Sequence, residues 1–170
     1  MPAQFFYADR SRTLGPGTEL GLIAPPHNLV PPGLNSLVQD LFPNGVTNHA
    51  QWLWRSIDVY GLHESLFEYV RRGEFADKPS RFESIFGFAQ LDDARTFLAR
   101  YPVKGVFGGN VLRVEGESRH RGNLALFDVI MNPGHAILGA RAYWSGRPGL
   151  APALWEHLLS PPVQVLDRVE

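Results

Sequence analysis

The pair Pro161-Pro162 constrains this chain more than any other feature, because it forbids a helix beyond Ser160. The residues that follow, with Val163, Val165 and Val169 apolar, carry the period-two pattern of a half-buried strand. Trp155-Glu156-His157-Leu158-Leu159-Ser160 leads into that strand, so Glu156 stands at an element boundary, where side chains often face a cleft. The 17 Gly and 14 Pro are spread along the chain rather than clustered, as expected of many short elements joined by tight turns. With 170 residues, 44% of them hydrophobic, one core is affordable and two are not, so a single domain over residues 1–170 is expected.

Charge narrows the partners only slightly. A formal net charge of -1 argues against an electrostatically driven partner such as duplex nucleic acid or an anionic membrane. The lack of cysteine excludes disulfides, thiolate metal sites and cysteine nucleophiles. No apolar run approaches membrane-spanning length, and Met1-Pro2-Ala3-Gln4-Phe5-Phe6 lacks a basic segment followed by an apolar one; a cytoplasmic chain without a signal peptide is expected.

Along the chain, Gln4 to Ala8 reads as a first strand, and the passage from Pro25 to Pro32 as loop. Helices are expected from Asn35 or Ser36 to Phe42, from Thr47 or Asn48 to about Tyr60 with Trp52, Trp54 and Ile57 apolar, and from Leu62 to Arg72, stopping at Gly73. The third of these carries Leu62, Leu66, Tyr69 and Val70 at helical spacing. Ser80 to Phe88 alternates like a strand, and Asp92 is placed to cap a helix whose face is Ala94, Phe97, Leu98 and Tyr101. Two more strands, Asn110–Glu115 and Leu124–Met131, are expected around a polar turn from Gly116 to Gly122, followed by a short helical or irregular segment from Ala136 to Trp144. Helices in the first half and strands in the second indicate an α+β fold, mixed and largely antiparallel.

The order of these motifs resembles the ADP-ribosyltransferase superfamily, in particular a bacterial branch of small single-domain members. The resemblance rests on Phe6-Tyr7-Ala8-Asp9-Arg10 in the first strand, the strand-then-helix unit Ser80 to Tyr101, and a last strand introduced by Glu156. It implies split β-sheets with a cleft that holds NAD as substrate, and three positions that carry the chemistry: a His or Arg on the first strand, a Tyr or Ser on the central one, and a Glu opening the last. Transferred residue by residue, these fall on Tyr7, Ser84 and Glu156, with Phe86 the central residue if the Tyr-type members are the right comparison. Tyr7 departs from the pattern, a phenol replacing the imidazole. Aligning the doubled proline instead would put His157 in the place of Glu156.

The same resemblance implies that Arg10 holds the pyrophosphate, that Arg81 and Ser80 border the cleft, that Phe86 walls the nicotinamide, and that Tyr143 or Trp144 grips the target or the nicotinamide. Breaking the bond from nicotinamide to ribose builds positive charge on the ribose, which a carboxylate held against it stabilises. No metal is needed, and the six His residues show no paired ligand spacing. No Gly-rich dinucleotide fingerprint follows a strand, so NAD binding of the Rossmann kind is excluded.

The function implied is transfer of ADP-ribose from NAD to a protein, RNA or DNA target with release of nicotinamide. A toxin or effector delivered to a target cell, with a cognate antitoxin or immunity protein, fits that class. Two alternatives stay open: a binding module that keeps the fold without the chemistry, as Tyr7 in place of His suggests, and an NAD glycohydrolase that uses water as acceptor.

Overall fold

The computed structural model describes residues 2–27, 29, 33–54, 59–102, 108–128, 132–149 and 152–169. Five strands and five α-helices lie along these segments: β1 Ala3–Asp9, β2 Glu19–Leu20, α1 Gly33–Leu41, α2 Asn48–Leu53, α3 Val59–Glu74, β3 Ile85–Gly87, α4 Leu91–Arg100, β4 Asn110–Asn123, α5 Pro133–Trp144 and β5 Trp155–Arg168. The mixture of helices with an antiparallel sheet makes the fold α+β, as expected from the sequence.

Strand order is β1-β4-β5-β2, and β3 pairs with the first half of β5 on the edge whose second half takes β2. A bridge between Phe6 and Phe88, with two backbone bonds of 2.8 Å, ties the end of β3 back to β1. Strands β1, β4, β5 and β3 therefore close on themselves. Alternate residues of these strands, among them Phe5, Ile85, Leu112, Val114, Leu159 and Val165, form one apolar cluster. The residues of opposite parity, such as Phe88, Val111 and Leu158, form a second cluster with Phe67 of α3 and Ala140, Tyr143 and Trp144 of α5. A third cluster lies beneath α1 and α2 around Val38, Phe42, Ala50 and Phe82.

Several sequence expectations are corrected here. The last strand begins at Trp155 rather than after the prolines, and Glu156 is its second residue. Three residues of β5, Pro161 to Val163, face the single Gly116 of β4, because Glu115 pairs with Gln164 and Glu117 with Ser160. In such an irregularity a proline's missing N–H interrupts no regular ladder, so the strand passes through both prolines. The expected turn from Gly116 to Gly122 is the second half of the continuous strand β4. Its polar side chains are largely solvent-facing, and the ladder to β5 needs only backbone groups. Leu124–Asp128 is a 3-10 turn rather than a strand, and residues 129–131 of that expected strand lie outside the described residues.

The strand expected over Ser80–Phe88 is a 3-10 turn, Arg81–Glu83, followed by the three residues of β3. Its serines fold locally: the Ser80 hydroxyl accepts from the Phe82 N–H, and the Ser84 hydroxyl donates to the Ser80 carbonyl at 2.7 Å. Thr47 does cap α2, accepting from the Ala50 N–H, but α2 ends at Leu53, and Ile57 lies outside the described residues. Gln90, not Asp92, precedes α4; Asp92 sits in its first turn and pairs with Arg95 at 2.8 Å. In α3 the helix runs through Gly73 to Glu74, and the buried face is Glu64, Phe67, Glu68 and Val70, while Leu62 and Tyr69 are 71% and 77% exposed. Glu68 is compensated by Arg71 and Arg72 of the same helix, and Glu64 by Arg81 from outside it, which allows this face.

Candidate functional site

Glu156 is 1% exposed, and it does not face open solvent at the strand's beginning. Its parity on β5 matches Leu158, so its side chain lies on the sheet face covered by α3 and α5. The residue opposite it on β4 is Gly122. A Cβ at Gly122 would collide with the Tyr143 ring, so the absence of a side chain there lets that ring lie across the strand. The Tyr143 hydroxyl consequently reaches Glu156 Oε1, donating at 2.7 Å.

Arg81 completes the cluster from the 3-10 turn. Its Nη1 donates to Glu156 Oε1 and, at 2.6 Å, to the Tyr143 hydroxyl. Its Nε and Nη2 bind both oxygens of Glu64 at 2.7 and 2.9 Å, the bidentate geometry that a planar guanidinium favours. The rings of Phe86 and Phe127 each lie 4.5 Å from its Cζ. One arginine thus serves two buried carboxyl groups. Glu156 Oε2 is buried and has no hydrogen-bond partner among the described residues.

Burial and pairing pull the titrations apart. Burial alone would raise Glu64, but the Arg81 guanidinium overrides it and holds the carboxyl down at about 2. For Arg81 burial is opposed by Glu64 and Tyr143, which leave it above its ordinary value. Burial pushes the Tyr143 phenol upward. His49 of α2 sits at the edge of the cluster, its Nε2 3.7 Å from Glu64 Oε1, outside hydrogen-bond reach. Its ring meets Phe86 edge-on at 4.9 Å. Burial lowers His49 below the usual imidazole range, so the ring is neutral at pH 7.

The residues expected at the site are distributed as follows. Glu156, Arg81 and Phe86 come together. Ser84 is buried but donates to the Ser80 carbonyl and does not orient Glu156; Arg81 and Tyr143 do that. Ser80 donates to Glu68 Oε2 at 3.0 Å, one turn of α3 away from the cluster. Tyr7 packs with the other apolar cluster, inside the closed strands, and its phenol is pushed up to about 12 by burial and by Asp9. On β1 it is Phe6 that faces the Tyr143 side, because successive strand residues point to opposite faces. Arg10 lies over the Phe97 ring at 5.4 Å and donates to the Tyr101 carbonyl at 3.5 Å. Trp144 is fully buried, its indole donating to the Phe67 carbonyl at 2.8 Å. His157, the alternative to Glu156, points to the opposite face, with Nδ1 2.9 Å from the Ser118 hydroxyl.

Sequence reasoning missed Glu64 and His49, and it read Tyr143 as a residue that grips the target or the nicotinamide, whereas its hydroxyl donates to Glu156. The signal for Glu64 was available: Glu64, Glu68 and Arg71 recur at helical spacing around Phe67, which marks a charged stripe on the apolar face. Nothing local announced His49.

Among the described residues, no group of three or more His, Asp or Glu is arranged to hold a metal ion, and no helix is long and apolar enough to cross a membrane. A family model described as a protein of unknown function (DUF2441) matches residues 44–170, a span that includes every member of the Glu64, Arg81, Tyr143 and Glu156 cluster. Tyr7 and Arg10 precede the matched span. No curated protein matches the chain.

Proposed function

The chain belongs to the DUF2441 family, and from its buried carboxylate we propose that it is an ADP-ribosyltransferase-like enzyme that binds NAD and transfers ADP-ribose to a macromolecular target. One observation carries this reading: Glu156 has one oxygen fixed by Arg81 and Tyr143 and a second, Oε2, that is buried and unpartnered among the described residues. A buried acceptor without a partner costs about 1–3 kcal/mol, more when charged, and a ligand hydroxyl would satisfy it. A carboxylate already oriented by two donors needs no reorganisation when charge develops beside it.

NAD supplies the scissile bond between nicotinamide and ribose. Glu156 accepts from a ribose hydroxyl and stabilises the positive charge that grows on the sugar. Arg81 and Tyr143 hold Glu156 in place, and Phe86 offers an apolar wall.

A second reading has its own support. Glu156 is ion-paired and almost wholly buried, and Tyr7 faces away from it, which favours a binding module that keeps the frame without turnover. Incubation of the purified chain with labelled NAD and cell lysate separates the readings. The transferase releases nicotinamide and labels a macromolecule, a glycohydrolase releases nicotinamide alone, and the binding module does neither.

A further inference from the structure

His49 lies at the edge of the Glu64, Arg81 and Glu156 cluster with its Nε2 buried and, among the described residues, without a hydrogen-bond partner. Glu64 Oε1 is 3.7 Å away, and both oxygens of Glu64 are held by Arg81 at 2.7 and 2.9 Å. A neutral imidazole N–H cannot match the bidentate pair of opposite charges that Arg81 offers Glu64, whereas a protonated ring competes for that carboxylate as a second cation. Burial opposes a charge on this ring most strongly, Glu64 of α3 favours it, and Arg81 of the 3-10 turn and Arg10 beyond β1 oppose it. From β3 the ring meets only the uncharged edge of Phe86.

We propose that this cluster is a proton-operated switch: a proton on His49 closes its Nε2 onto Glu64 Oε1 and draws that carboxylate off Arg81, which keeps Glu156 and Tyr143 as its partners. Arg81 can release one carboxyl group because it already binds a second, its Nη1 donating to Glu156 Oε1 and to the Tyr143 hydroxyl. The two states exchange one buried ion pair for another, so neither leaves the Glu64 charge bare. Without the proton Glu64 ties α3 to the 3-10 turn; with it, Glu64 ties α3 to α2. Glu64, held down at about 2, stays ionised across the whole range in which an imidazole titrates. The His49 side chain is 26% exposed, so a proton arrives from solvent without unfolding. The switch does not depend on the NAD reading.

The test follows the full chain, labelled with nitrogen-15, by NMR from about pH 8 to about pH 4.5 in the wild type, His49→Gln and Glu64→Gln, a range that spans the imidazole titration. The His49 ring nitrogens and the Arg81 Nε–H are read together. In the wild type His49 should titrate with a midpoint below 6.5, and the Arg81 resonance should move with the same midpoint. In His49→Gln, which takes up no proton, the Arg81 resonance should stay still over this range. In Glu64→Gln the His49 midpoint should fall by about one unit or more, because the anion that favours the charged ring is gone. An Arg81 resonance that stays still while His49 titrates in the wild type would overturn the switch, and so would one that moves equally in His49→Gln. Both of these outcomes are read without Glu64→Gln, so they decide the matter even if that variant does not fold.

Discussion

Glu64 and Glu68 lie one turn apart on α3, both buried, yet they are served very differently. Glu68 accepts from Arg71 at 2.7 and 2.9 Å, from Arg72 at 2.8 Å and from the Ser80 hydroxyl at 3.0 Å, so one carboxylate meets two cations and a neutral donor. Glu64 shares the single Arg81 with Glu156, and one oxygen of that second carboxylate is left over. The first arrangement is closed and reads as a brace that pins the 3-10 turn to α3. The second leaves an acceptor unused among the described residues, which a brace does not need. Charge satisfaction therefore separates a structural ion cluster from a candidate site even where burial is the same.

The sharpest way to break this contrast is Arg81→Met. Removing the one cation that, among the described residues, bridges two buried carboxyl groups should lower the free energy of unfolding by about 3–5 kcal/mol in urea titrations. A loss below about 1 kcal/mol would mean that Glu64 and Glu156 do not depend on Arg81.

Activity should follow the open cluster. In Glu156→Gln, nicotinamide release should fall about a hundredfold, equivalent to about 3 kcal/mol, with NAD affinity changed by a few fold. His157→Ala, on the opposite face of β5, should do much less. The reverse pattern would move the search for the carboxylate to Glu115 and Glu117 on β4.

Acid should act on the open cluster next. Glu64 is depressed to about 2 in the folded chain against an ordinary value near 4.5, so its contribution is complete above about pH 4.5 and is lost as pH falls towards 2. His49 acts at higher pH: the unfolded chain protonates it first, so stability should begin to fall as pH drops through about 6.5. Melting temperatures measured from pH 8 to pH 2 should show both limbs. Glu64→Gln should flatten the acid one, and an unchanged slope there would contradict the pairing.

The smallest effect should come from the closed cluster. Ser80→Ala removes the neutral donor to Glu68, which keeps Arg71 and Arg72, and the cap of the 3-10 turn, a loss of about 1 kcal/mol. NAD affinity should not move. A tenfold change in affinity would show that the two clusters are coupled and the contrast false.

The sequence by itself determined the class of fold and the elements with strong local signals. The first strand, the helix capped by Thr47, the face of α4 through Ala94 and Phe97, and the period-two pattern after Pro162 all follow from local sterics and periodicity, and the α+β mixture follows from them. It also singled out Glu156, Arg81 and Phe86, which meet. Tertiary structure alone decided the rest. Whether Gly116 to Gly122 turns or continues depended on a partner strand, and whether Leu62 or Glu64 is buried depended on an arginine seventeen positions away. Tyr7 and Glu156 were separated by the register of β1 and β5 on β4, which puts their side chains on opposite faces of the sheet. The reason is common to all three cases: what a segment does is decided by the groups that lie opposite it in space, far away in sequence, and a local pattern holds no record of them.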